Sequence, residues 1–399
     1  MATSLLTIDM LTNETLRVLH QKLNFIGTIN RAYDDSFAKS GAKIGSDLRI
    51  RLPNQYTVRS GRVLDAQHQS EEQVTLQVTS QKGVDMVFDS SELALDIDRF
   101  SERYITPAAS VLAANIESDA LSMYKDVYNQ ANQSTLTAAL DIDTVLEAKR
   151  LLDDNLTPMD ENRVANLCSR QTVGLVSALK TLYHDASAIS QQYRDGQMGK
   201  TAGFTFYQNS LLQRHTSGSD DGNDYAVDGA AEDGATITIK TGTGTLLKGD
   251  IITFAGCYRV HPETKVSTGE LQQFTVTTST GANATSVAIS PSIIISGAKQ
   301  NVSGYPTDSG TVTKVGGVSK AYDLGLTYHK DAFTFATADL PMPSGVDMAT
   351  RKVLDGISMR IVRAYDINND QMPMRLDILY GYKTIRPQLA CRIASKSDA

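Results

Sequence analysis

One block constrains the fold of this chain more than any other stretch. From about Thr216 to Gly316, glycine, threonine and serine concentrate, and runs such as TITI, DIITFAG, FTVT and SVAIS stand between turn residues. Short alternating runs bounded by Gly, Asp and Ser are strand signals. About 100 residues in the middle of the chain therefore read as an all-β insert, a small sandwich or barrel. Before the insert a mixed region runs to Gln213, and after it the chain returns to mixed character.

The flanks have a different period. Leu16, Leu19, Leu23 and Ile26 recur at three- and four-residue spacing behind Thr12, Asn13 and Glu14, an amphipathic helix with its cap. Leu48, Ile50 and Leu52 then alternate with Arg49 and Arg51, and Val74, Leu76 and Val78 with Thr75, Gln77 and Thr79, which are two strands. Between them lies PNQYTVRSGRVLDAQHQSEEQ, polar and turn-rich, so the pair forms a long hairpin whose tip has no core of its own. Such a tip needs a partner. Arg59 and Arg62 stand on one side of it and Glu71 and Glu72 on the other, and these four are the candidate subunit-contact residues.

Thr106-Pro107 starts the longest helix expected, because proline in the first turn needs no amide donor. Leu112, Ile116, Ala120, Met123 and Val127 carry its apolar face to about Gln130, a rod of roughly 36 Å at about 1.5 Å per residue. A second helix should start near Asp143 or Thr144 and stop before Pro158, with Val145, Leu146, Leu151 and Leu152 apolar. After the insert, GISMRIVRAYD and MRLDILYG read as a strand pair joined across DINNDQMP.

Local chemistry is absent from the sequence. Gly199-Lys200-Thr201 lacks the upstream glycine of a phosphate loop, since Arg194 stands there, and Gly242 and Gly244 open no helix. Asp366, Asn368, Asp370 and Asp377 have calcium-loop spacing, but Gln371 occupies the position that needs glycine, and a polar hairpin turn is favoured. The run Asp220, Asp221, Asp224, Asp228, Glu232 and Asp233 reads as a solvated linker ahead of a cation site. His20, His68, His184, His215, His261 and His329 form no local ligand spacing. Cys168, Cys257 and Cys391 are odd in number and far apart, against both a disulfide framework and a zinc site, and they indicate a reducing compartment. No stretch approaches the roughly 18 apolar residues of a membrane span. At 41% hydrophobic and 21% charged, the 399 residues are too apolar for disorder, and a net charge of −7 gives no chain-wide reason to seek nucleic acid. Neither an enzyme nor a cofactor is expected.

Several segments, in order, resemble the major coat proteins of tailed bacteriophages with the Hong Kong 97 fold and an inserted β-domain, of the P-twenty-two type. TINRAYDDSFAKSGAKIGSDLRIRLP is similar to that family's entry into its extended loop, and SERYITPAASVLAANIESDALSMY to its spine helix. YRDGQMGKTAGFTFYQN, with Gly196, Gly199 and Gly203, resembles the turn before the insertion, and LLKGDIITFAGCYRV the opening strands of the insert. YHKDAFTFATADLP and DILYGYKTIRP, with Gly381 and Pro387, resemble the closing strands.

The resemblance implies an α+β subunit with a peripheral domain carrying the spine helix, an axial domain, an extended loop, an N-terminal arm and an inserted Ig-like or telokin-like barrel. On this sequence that is an arm over 1–44, an extended loop hairpin over 45–90, the peripheral domain with spine helix and axial domain over 91–215, the inserted Ig-like β-domain over 216–316, and a return to the axial and peripheral domain over 317–399. It implies a capsid protein that self-assembles as hexamers and pentamers in the host bacterial cytoplasm and resides in the virion capsid. The implied partners are other copies of itself, a scaffolding protein, a portal, and packaged double-stranded DNA on the inner face without sequence-specific binding. No membrane partner is implied. The competing readings are an encapsulin-like nanocompartment shell, which the β insert argues against, and a tail-fibre or adhesive protein using the same Ig-like module.

Overall fold

The computed structural model describes residues 23–32, 47–59, 61–64, 66, 71–89, 104, 106–134, 136–179, 199–222, 224–354 and 357–396. In chain order these form helix α1 (Asn24–Thr28), strands β1 (Asp47–Arg51), β2 (Gln73–Gln77) and β3 (Ser80–Asp89), and helix α2 (Thr106–Leu121). Strand β4 (Gln130–Asn132), helix α3 (Ile142–Asp154), strand β5 (Arg163–Leu167) and helix α4 (Ser169–Leu179) follow, then β6 (Lys200–Thr201), β7 (Phe204–Gln208) and β8 (His215–Thr216). The central block carries β9 (Gly234–Thr238), β10 (Ile251–Val260), β11 (Ser267–Val276), β12 (Ser286–Ile293) and β13 (Val312–Val315). The last are β14 (Ala321–His329), β15 (Phe333–Ala338), β16 (Met348–Leu354), β17 (Ile357–Arg363), β18 (Gln371–Thr384) and β19 (Ala390–Ser395).

The chain divides into two compact units. The first is Met1–Arg51, Gln73–Leu121 and Phe333–Ile385. Its frame is the long strand β18, which takes β15 and β17 as antiparallel neighbours and pairs with β3 from Gln371↔Asp89 to Tyr380↔Ser80. The expected pair GISMRIVRAYD and MRLDILYG is β17 and β18. The turn between them is polar, with Asp366 accepting from the Asn368 amide at 3.0 Å and from Asn369 Nδ2 at 2.8 Å, and it leads into strands, as the sequence indicated. β1 and β2 form the expected hairpin stem, antiparallel from Asp47↔Gln77 to Arg51↔Gln73.

Helix α2 locks onto this sheet through Asp119. Its Oδ2 lies 2.6 Å from Lys82 Nζ on β3 and accepts from the Tyr380 hydroxyl of β18 at 2.5 Å. Glu117, fully buried two residues earlier, accepts from the Phe25 and Ile26 amides, so a carboxylate satisfies orphan donors at the start of α1. The apolar face expected of this helix is buried throughout. Its length is corrected: α2 has 16 residues, roughly 24 Å. It tightens to a 3₁₀ turn at Ser122–Asp126, and Gln130 is already strand. The cause is competition for the backbone. Thr275 Oγ1 donates to the Lys125 carbonyl at 2.8 Å, and Gln130 pairs with Arg392 in β19.

The second unit is Leu52–Glu72, Ser122–Ala332 and Arg386–Ala399. It holds a seven-stranded mixed sheet in the order β4-β19-β14-β5-β7-β6, with β8 on β14. Helices α3 and α4 cover it through a core that includes Leu140, Val145, Leu152, Leu175, Phe204 and Ile393. α3 begins at Ile142, earlier than expected, because the Asp141 carboxylate caps it, accepting from the Thr144 amide at 2.9 Å. Leu146, expected on the apolar face, is exposed.

The same unit holds a five-stranded antiparallel sheet, β13-β10-β11-β12-β9, with TITI, DIITFAG, FTVT and SVAIS in four of its strands. The segment 225–228 joins its two edges: Val312 donates to the Tyr225 carbonyl at 2.9 Å, and Lys240 to the Ala226 carbonyl at 2.7 Å. The sheet thereby closes on itself around Tyr225, Val227, Ile237, Phe254, Phe274 and Val302, in a core drawn wholly from residues 225–312.

Candidate subunit-contact surface

Four elements of the second unit decide what its surface offers. The segment 52–72 is held at its base by the Leu52 amide donating to the Glu72 carbonyl at 2.8 Å. Beyond that point its described side chains, Asn54 apart, are open to solvent. Val58 is 96% exposed, Val63 83% and Leu64 82%, so apolar groups project where no core of this chain receives them. Arg59, Arg62, Glu71 and Glu72 are all exposed.

Arg59 and Glu72 make contacts within the chain. The Arg59 guanidinium donates to the Gly61 and Val63 carbonyls, which folds the turn at Gly61, where φ is +98°. Glu72 pairs with Lys299 Nζ. The sequence suggested opposed arginines and glutamates across the tip, whereas the structure brings Glu72 to a lysine 227 positions away in the chain. No spacing signal links those two residues.

The β-rich block is tied to the mixed sheet by polar contacts that local sequence also hides. Gln130 and Gln273 exchange two bonds, amide to Oε1 at 2.6 Å and Nε2 to carbonyl at 3.0 Å. Arg150 on α3 reaches Glu147 at 2.6 Å, Asp154 at 2.9 Å and Glu270 at 3.0 Å. Arg259 reaches Asp154 at 2.6 Å and Glu270 at 3.3 Å. The Arg150 guanidinium holds the Glu147 carboxyl below its ordinary range. Helical spacing makes the Glu147-Arg150-Asp154 trio visible, but its strand partners are remote in sequence. Glu147, Arg150, Arg259 and Glu270 line a cleft of about 260 Å³ beside Gln130 and Gln273, and both arginines in it are neutralised by carboxylates.

Nothing in these groups activates a nucleophile. Burial pushes the Cys257 and Cys391 thiols up to about 12, and burial also raises Cys168. His329 meets Asp160 at 3.1 Å, and His215 meets Asp250 at 2.9 Å in a buried structural pair. His20, His68, His184 and Gly196 lie outside the described residues. Gly381 has a packing reason: a Cβ there would stand 2.0 Å from the Gln77 carbonyl oxygen.

The family described as P22 coat protein, gene protein 5, matches residues 1–392. The chain belongs to the P22 coat protein family. It is a major capsid protein, an α+β subunit that forms the icosahedral shell of a tailed bacteriophage, and its place is the virion capsid. The tail-fibre and nanocompartment readings fall away. No curated protein matches the chain significantly. A structure from Mycobacterium phage Che8 is similar over 92% of this chain and 89% of its own, at TM-score 0.48 and 14% identity. The capsid structure of the Cyanophage P-SCSP1u is similar over 90% and 85%, at TM-score 0.46 and 10% identity. A virus-like particle from Pyrococcus furiosus is similar over 96% and 98%, at TM-score 0.41 and 7% identity.

Proposed function

We propose that this coat protein builds its shell without catalysis, and that the segment 52–72 is one of the surfaces by which a subunit grips its neighbour. The observation that carries the reading is the family match across residues 1–392, to which the exposed apolar and charged tip adds a physical reason for association. Val58, Val63 and Leu64 gain from leaving water only against another surface, at about 25 cal/mol per Å² of apolar area. Arg59, Arg62, Glu71 and Glu72 then select which surface that is. Residues 216–316 serve as an inserted β-domain, with its own core and a polar, re-formable attachment to the mixed sheet.

The partners proposed are other copies of the chain, a scaffolding protein, a portal, and double-stranded DNA held without sequence readout. The net charge of −7 suits a lining that does not trap its cargo. The test is to express the chain with and without a scaffolding partner and to image the product by negative-stain microscopy. Closed shells or capsomers, with no turnover of common hydrolase or redox substrates, are expected. A monodisperse monomer under every condition would overturn the proposal.

A further inference from the structure

The run of acids ahead of the β-rich block does not behave as a solvated linker. Asp220 is fully buried, while Asp221 is exposed and Asp224 half-buried. One carboxylate oxygen from each of the three lies within 4.8 Å of the other two. Calcium takes oxygen ligands at about 2.3–2.6 Å, so two oxygens on one ion stand no more than about 5 Å apart. The spacing fits.

A second observation points to a ligand. Asp220 Oδ2 accepts from the Gly222 amide at 3.1 Å, but the buried Oδ1 has no hydrogen-bond donor. A buried carboxylate oxygen without a hydrogen-bond donor is costly, and it favours a bound cation. Nearby, the buried Lys314 ammonium donates to the Gly218 carbonyl.

The surrounding backbone is shaped to leave room. A Cβ at Gly244 would stand 2.4 Å from Asp220 Cα and 2.7 Å from Asp224 Oδ2, and one at Gly242 would stand 2.6 Å from the Asp224 carbonyl oxygen. Two glycines thus let the 242–244 turn lie directly against the acids, and the Tyr225 hydroxyl fastens it by donating to the Gly244 carbonyl at 2.6 Å. This turn and these acids adjoin segment 225–228, where the sheet closes.

We propose that Asp220, Asp221 and Asp224 hold a calcium ion at the seam of the β-rich block. Three hard anionic oxygens with no sulfur or imidazole among them select a group 2 cation over zinc or copper. Calcium is favoured over magnesium because three carboxylates on an irregular segment form an irregular cage, and magnesium demands near-octahedral geometry and keeps its waters. The ion discharges Asp220 Oδ1 and joins Asp220 and Asp221 to Asp224, the residue before the closing segment.

The test uses the full-length chain titrated with terbium chloride, whose luminescence Tyr225 sensitises from the adjoining position, followed by competition with calcium chloride or magnesium chloride. Melting is followed in parallel with each salt. Saturable terbium emission, displaced by calcium at least about tenfold more readily than by magnesium, and a melting point raised by calcium are expected. Asp221→Asn alters an exposed side chain and leaves the fold intact, and it should weaken both responses by about tenfold through the loss of one anionic ligand. Asp220→Asn should abolish them. If that buried variant fails to fold, Asp221→Asn alone decides. No saturable emission from the wild type, a magnesium midpoint equal to that of calcium, or an Asp221→Asn titration matching the wild type would each overturn the proposal.

Discussion

His215 stands where the chain enters the β-rich block, with Nε2 2.9 Å from Asp250 Oδ1 and Nδ1 3.3 Å from the Tyr124 hydroxyl. Both members of this hydrogen-bonded pair are buried, and Asp250 also accepts from the Gly218 and Leu247 amides at 3.0 and 2.8 Å. Burial is the largest influence on the imidazole and pulls its pKa below the ordinary 6.5; the Arg392 and Lys125 charges add to this, against the pull of Asp250. The neutral ring is therefore the folded form. Above about pH 6.5 both folded and unfolded states carry it neutral, and its contribution to stability is fully present. As pH falls below that value the unfolded chain takes the proton first, so the contribution is lost toward the lower folded pKa. Melting at about pH 7.5 and about pH 5.5 should show a larger loss for the wild type than for His215→Gln, which keeps a donor for Asp250 but does not titrate. Equal losses would refute the assignment. A second residue-scale outcome concerns Gly381. An added methyl would meet the Gln77 carbonyl oxygen at 2.0 Å, so Gly381→Ala should destabilise the chain by about 1–3 kcal/mol or more, read as a lower denaturation midpoint.

Among the elements, the strands of the β-rich block were the most legible, because alternation and turn residues are local signals, and TITI, DIITFAG, FTVT and SVAIS all lie in its sheet. The hairpin stem, with Leu48 opposite Leu76 and Ile50 opposite Val74, was legible for the same reason. The end of α2 was not. Its apolar spacing continues through Val127, but a threonine 150 residues away takes a carbonyl of the last turn, and that competition has no local trace. Asp220 misled in the same way: an acid in a polar run looks solvated, and only the approach of Gly244 and the strands around it buries the carboxylate. Of the contact surface, the exposed tip could be read from composition, while the pairing of Glu72 with Lys299 depends on tertiary proximity alone. The same locality yields a test. Since the core of the block comes only from residues 225–312, the excised segment 216–316 should give a strand-type circular dichroism spectrum and a cooperative melt. A coil spectrum would show that the polar links to α3, Gln130 and Lys125 are needed for folding.

At the scale of the whole molecule, a shell subunit must be stable alone and yet respond to its neighbours, and the tip shows how charge separates these demands. Arg59 donates only to carbonyls of its own exposed turn, and an exposed contact contributes about 0–1 kcal/mol, so converting Arg59 and Arg62 to Glu should barely alter the melting of the isolated subunit. In a lattice the same change recurs at every copy and sets like charges against whatever acidic surface the arginines meet, so small penalties accumulate. The double reversal is therefore expected to leave a folded chain that assembles poorly or into shells of the wrong size, with partial recovery at high salt, where screening shortens the repulsion. Lys299→Glu is the matching control. It breaks the intramolecular pair with Glu72 without touching the arginines, so it should disturb assembly through the pose of the tip and gain less from salt. Normal shells from the arginine double variant at low salt would show that the tip is a solvated loop and that the contacts between subunits lie elsewhere on the surface.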